Sequence, residues 1–158
     1  MNAGADSNLK DGFGRPVLHL AAERAHRGVC EELVRHGADP NYARGARRHT
    51  LLHTAAISGN YGMAAILLDL GADPNCQTSY GATPLHFAAK TGQQYLANRL
   101  LEKGGDLNII DKHGQTPQQL ALQNGFAFMF RSKQGRGHVS PSPQQHRCAS
   151  SSPQAFKR

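Results

Sequence analysis

The string GADPN stands at residues 37–41 and again at 71–75, with GADSN at 4–8 and GGDLN at 104–108. The starting positions 4, 37, 71 and 104 give intervals of 33, 34 and 33 residues. A fixed period of this length describes a row of like units rather than one globule. Each unit is too short to bury an apolar face alone, so it must stack on its neighbours.

Aligning on that string brings helix-forming text into register: PVLHLAAERA from Pro16, TLLHTAAISG from Thr50, TPLHFAAKTG from Thr83 and TPQQLALQNG from Thr116. A second helical stretch follows in the first three units, marked by Leu33-Val34, Leu67-Leu68 and Leu100-Leu101. Each unit therefore reads as helix, short turn, helix, loop. Thr83 and Thr116 offer a hydroxyl to cap a helix N-terminus, with Pro84 and Pro117 at a position that needs no N–H; Thr50 keeps the cap without the proline. Gly59, Gly92 and Gly125 fall between the helices, where a left-handed residue reverses the chain, and the glycine of GADPN ends the second helix by the same means. The Ala21-Ala22, Ala55-Ala56 and Ala88-Ala89 pairs allow close approach of neighbouring helices.

Period and TPLHxAA text together resemble the ankyrin repeat family, over about residues 4–130: three full repeats, a partial C-terminal repeat and the end of one at the N-terminus. The resemblance implies an all-α repeat fold, a solenoid of stacked helix-turn-helix units with β-hairpin finger loops along one edge. Departures from the pattern carry expectations of their own. Pro16-Val17 stands where Thr-Pro belongs, so the first cap is expected to be lost. Ala25 replaces the inter-helix glycine and Gly28 follows it, so an irregular turn is expected there. Gln118-Gln119 replaces Leu-His in the fourth unit, whose residues Phe126 to Lys133 are read as a short final helix shielding Leu96 and Leu100. GADSN at the start reads as the closing loop of an earlier unit, so the chain is either a capped array or a fragment of a larger multidomain protein.

Charge divides the chain at the end of the array. Residues 1–130 hold 12 Lys/Arg against 11 Asp/Glu, whereas residues 131–158 hold six Lys/Arg and no acid. That terminal text is rich in Ser, Pro and Gln and has little to bury. The domains are accordingly drawn as an ankyrin repeat domain at 1–133 and a disordered Ser/Pro/Gln-rich basic tail at 134–158. Cys30, Cys76 and Cys148 show no paired spacing, which argues against a disulfide framework and for a reducing compartment. The N-terminus lacks the basic and apolar regions of a secretory signal, and the run from Met63 to Leu68 is too short to cross a bilayer. A cytoplasmic or nuclear protein, not secreted, is expected.

His19, His53 and His86 occupy one position in successive units and suggest a metal at first sight. Stacked helices stand about 8–10 Å apart, while each zinc-bound nitrogen lies about 2 Å from the ion. The histidines are expected instead to tie loops to helices. No phosphate loop, HExxH or GxSxG is present, adjacent Glu31 and Glu32 point apart, and Cys30 belongs to the buried side of its helix. The reading is non-catalytic, with no cofactor, no metal and no small-molecule substrate.

Within the resembled family, partners meet the finger tips and the exposed ends of the first helices. That places partner-binding residues at Phe13 and Arg15, Arg47 and His49, Ser79 and Tyr80, and Lys112, His113 and Gln115 on the fingers. Glu23 and Arg24, Ile57 and Ser58, and Lys90 and Thr91 supply the helix ends. Exposed aromatics often anchor interfaces, which favours Phe13 and Tyr80. The cluster Arg44, Arg47, Arg48 and His49 favours an acidic protein partner. The alternative is a nucleic-acid or acidic-surface binder working through the basic tail.

Overall fold

The structure, a computed structural model, describes residues 8–136. Its helices are α1 (Val17–Glu23), α2 (Arg27–Arg35), α3 (Leu51–Ser58), α4 (Tyr61–Asp69), α5 (Pro84–Thr91), α6 (Gln94–Glu102) and α7 (Pro117–Gln123), followed by a 3-10 helix at Ala127–Arg136. Helices pair as α1–α2, α3–α4 and α5–α6; α3 packs on α5 and α5 on α7 in one layer, α4 on α6 in the other. The 3-10 helix runs past Lys133, where the sequence placed the end of the domain. Residues 137–158, which hold most of the expected tail, lie outside the described residues.

The inter-helix turns share one geometry. Gly59, Gly92 and Gly125 have φ of 71, 73 and 85°. In each case the amide directly after the glycine reaches back to an alanine carbonyl: Asn60 N–H to Ala55 (3.0 Å), Gln93 to Ala88 (2.9 Å) and Phe126 to Ala121 (2.7 Å). The first unit corrects the expectation of an irregular turn. Ala25 adopts φ 57° and His26 N–H closes on Ala21 at 2.9 Å, while Gly28 sits inside α2. Stacking fixes the turn, and an alanine is held where its Cβ crowds the backbone. Ala25→Gly should therefore stabilise the fold by about 0.5–1 kcal/mol, the relief of left-handed strain less the added unfolded-state entropy. A urea titration reads this directly; a variant no more stable than the parent would show that Ala25 carries no strain.

The repeated loop has a use for each letter. Gly37, Gly71 and Gly104, with φ of 97, 93 and 94°, end the second helices. The following amides bind back into the leucine-pair turn: Ala38 N–H to Leu33 (2.8 Å), Ala72 to Leu67 (2.9 Å) and Gly105 to Leu100 (2.8 Å). Ala38 and Ala72 are buried. Asp39, Asp73 and Asp106 accept the amides of Asn41, Asn75 and Asn108 at 2.8–2.9 Å, turning the chain. Asn41 Oδ1 then accepts Asp73 N–H (2.6 Å), and Asn75 Oδ1 accepts Asp106 N–H (2.8 Å). Asn41 and Asn75 thus each bond to the copy of their own loop in the next unit, which explains why the string recurs.

Histidine does the same work at the other end of the helices. His53 Nδ1 accepts Thr50 N–H (3.1 Å) and lies 2.8 Å from Thr50 Oγ1, while Nε2–H reaches the Ala82 carbonyl (3.1 Å). His86 repeats this with Thr83 N–H (3.0 Å) and the Gln115 carbonyl (3.0 Å). In the fourth unit Gln119 Oε1 accepts Thr116 N–H (2.8 Å) and Thr116 Oγ1 accepts Gln119 N–H (3.2 Å), so the apparent departure preserves the reciprocal cap. Pro16 makes no side-chain cap, as the sequence suggested.

The core is aliphatic: Leu18, Leu52, Leu67, Leu85 and Leu100 are fully buried, and all six residues of the alanine pairs lie inside. Met129 and Phe130 are buried in the final turn and belong to the same core as Leu96 and Leu100, and Phe126 packs against this core. Gln94 Nε2 donates to the Met129 carbonyl at 3.1 Å, fastening the terminal helix to α6. Phe128 stays about half exposed, so the aromatic group covers the array end only in part. Cys30 is free and buried, and Cys76 is buried too.

Candidate functional site

Four turns project ahead of the first helices. Among the described residues no strand forms: the first two turns carry single antiparallel bridges, Lys10–Pro16 and Arg44–His49, in place of the extended hairpins implied by the resemblance. In three of them a side-chain oxygen organises the loop. Asp11 Oδ1 accepts the amides of Phe13 and Arg15, Asp111 Oδ1 those of His113 and Gln115, and Thr78 Oγ1 those of Tyr80 and Ala82. Gly14, Gly81 and Gly114 supply the left-handed residue, with φ of 73, 75 and 73°.

The second finger differs. It holds the extra residue of the 34-residue interval, and its chain closes through Arg44 N–H to the His49 carbonyl (2.7 Å) and His49 N–H to the Arg44 carbonyl (3.2 Å). Arg48 takes the left-handed position, at φ 55°. Successive fingers are stitched: the Arg44 guanidinium donates to the Phe13 carbonyl, Ser79 N–H to the Arg47 carbonyl (3.0 Å) and Lys112 N–H to the Tyr80 carbonyl (2.9 Å). This row of bonds makes the finger edge one continuous surface.

The structure places the sequence-derived residues unevenly on that surface. Phe13 is 74 % and Tyr80 52 % exposed; Glu23, Arg24, Arg47, Ile57, Lys90, Lys112 and His113 are exposed too. Arg15 is half-buried, held by Asp11 at 2.7 Å and Glu23 at 3.8 Å, with its guanidinium 5.5 Å from the Phe13 ring. His49 is packed rather than presented: its ring stacks on His53 at 5.9 Å and meets the edge of Phe87 at 5.9 Å. The Ser58 and Thr91 hydroxyls bond to the carbonyls of Thr54 (2.9 Å) and Phe87 (2.8 Å) in their own helices. Ser79 and Gln115 are half-buried, and the Gln115 carbonyl is taken by His86.

Electrostatics separate the two faces. On the second helices, Asp69 receives Arg27 (3.1 Å), Arg99 (2.7 Å) and Lys103 (3.0 Å), drawing cations of the units before and after its own onto one carboxylate. Those cations, Lys103 first, hold the Asp69 carboxyl below its ordinary range. Glu31 pairs with Arg27 and Glu32 with Arg35 on the same side. On the finger side, by contrast, Arg44, Arg47, Lys90 and Lys112 enter no salt bridge among the described residues. Burial lowers the proton affinity of His19 and His49, with Arg44 and Arg47 respectively adding to the effect.

Pattern reading missed two features. The Asp69 junction joins residues 42 and 30 positions away, and no local motif announces it. A cleft of about 400 Å3 lies between the second finger and the first helices, its wall including Tyr42, Arg44, Ala46 and Thr54. Its signal was the single 34-residue interval, since an added residue must widen one loop.

Among the described residues no helix is long and apolar enough to cross a membrane. No curated protein matches the chain. Family models do match: ankyrin repeats (3 copies) over residues 1–78 and ankyrin repeats (many copies) over residues 67–121. With the helix pairs, the stitched loops and the reciprocal caps already in view, these matches show that the chain belongs to the ankyrin repeat family.

Proposed function

We propose that this chain is a non-catalytic adaptor of the cytoplasm or nucleus, which grips an acidic protein partner through its finger loops and the concave face of its first helices. One observation carries the reading: Arg27, Arg99 and Lys103 of the second-helix face are neutralised on Asp69, whereas Arg44, Arg47, Lys90 and Lys112 of the finger side are exposed and enter no salt bridge among the described residues. Charge left unmatched on a rigid surface steers a partner of opposite sign and fixes its register. Phe13 and Tyr80 offer apolar anchors beside that charge. The repeat domain at 1–133 does this work, with residues 134–158 as a solvated spacer.

The partner is best identified by capture on the full chain. Tyr80→Ala and Arg47→Glu should each weaken its binding by about 1 kcal/mol or more, as truncated interface anchors do, without changing the melting temperature. Glu32→Lys and Arg35→Glu, on the far side, should leave binding intact. The opposite pattern would move the interface to the second helices and end this assignment.

A further inference from the structure

The cleft beside the second finger has a construction of its own. Pro16, Leu51 and Ala46 give it an apolar lining, and Arg44, Arg47 and His49 stand on its finger wall. The inserted residue widens this finger, and Gly45 and Ala46 put no bulk into the opening. Tyr42 of the lining is itself held by a cation: Lys10 Nζ donates to Tyr42 Oη (2.7 Å) and lies 4.5 Å from the ring centroid. No carboxylate lines the cleft, and neither Arg44 nor Arg47 has an ion pair among the described residues. A volume of about 400 Å3 lies within the range of ligand-holding clefts, roughly 300–1,000 Å3.

Building on the proposed partner-binding role, we infer that this cleft seats a short acidic peptide segment of the partner, its carboxylates on Arg44 and Arg47 and its intervening apolar side chain over Pro16 and Leu51. Guanidinium groups suit the pairing because their planar donors match a carboxylate. Arg44 is positioned in advance: its guanidinium bonds to the Phe13 carbonyl, and its backbone is locked by the bridge to His49. The first and second fingers thus become the primary subsite, while Tyr80, Lys90 and Lys112 lie farther along the same path. An interaction centred there differs from one spread evenly over the second and third units.

The test uses the full chain, isotopically labelled and followed by NMR, with the probes Ac-Ala-Glu-Leu-Glu-Ala-NH2, its Gln-for-Glu counterpart and inorganic phosphate. The acidic peptide should shift amides of residues 42–49 and Thr54. Its affinity should fall at least about tenfold with the Gln peptide and in an Arg44→Ala/Arg47→Ala variant that melts like the parent. Equal binding of the two peptides, undiminished binding to the variant, or no shift at all would overturn the inference. So would phosphate giving the same shifts at the same affinity, which would mark a general anion site, or shifts confined to residues beyond 130. Shifts at Ser58, Lys90 and Thr91 with the cleft silent would refute the cleft alone and leave the broader concave-face reading standing.

Discussion

Leu67→Ala and Leu100→Ala should each cost about 2–5 kcal/mol, the range for truncating a fully buried leucine. Both side chains are fully buried, in α4 and α6, at the level where the second helices pack. The surrounding core is built from alanine pairs and other leucines, whose short side chains cannot swing in to fill a void. The same two residues lend their carbonyls to the turn that opens GADPN, so loss of packing also loosens the bonds from Ala72 and Gly105. In an array this short each interior unit supports both neighbours, and a loss of that size is a large share of a typical domain's stability of about 5–15 kcal/mol. Circular dichroism with urea should show the midpoint falling sharply, or no cooperative transition. Melting like the parent in both variants would be incompatible with stacked helix pairs.

Mild acid should destabilise the domain through its buried histidines. Burial pushes the His53 pKa down to about 3, and burial lowers those of His86 and His19 in the same direction. Unfolded histidine takes up a proton near pH 6.5, whereas the folded ring at position 53 does not until near pH 3. The stabilisation is therefore complete above pH 6.5 and is lost as pH falls, because the unfolded state binds more protons throughout that window. His53 alone should remove about 1.4 kcal/mol per pH unit there, or roughly 2–3 kcal/mol by pH 4.5. His86 and His19 steepen the loss. The lowered carboxyls of Asp69 and Asp11 act in the same sense only below about pH 4, so the interval from 6.5 to 4.5 isolates the histidines. His53→Gln, which copies the cap that Gln119 makes on Thr116, should flatten the slope though it lacks the reach to Ala82. A chain equally stable at pH 7 and 4.5 would contradict the neutral, doubly bonded histidine.

Much of the fold was readable because its rules are local. Thr-Pro at a helix start, a left-handed glycine between helices and the GADPN turn each act within a few residues, so their spacing locates every helix pair. Burial of Cys30 followed from helical periodicity in the same way. The site was less legible. Composition placed arginines in the second finger, but only the fold shows which are matched by acids and which are not.

The sequence alone determined the unit, its period and the order of its elements, since these depend on backbone conformations that particular residues favour. Stacking decided the rest. It forced Ala25 into a left-handed turn that its neighbours give to glycine, because the helices on either side must still pair. It let Gln119 do the work of a histidine, because a cap needs only an acceptor within reach of the Thr116 amide. It gathered Arg27, Arg99 and Lys103 on Asp69, leaving Arg44 and Arg47 at an open cleft. Such pairings join residues of adjacent units, where distance in space is set by how units stack and not by how far apart they stand along the chain.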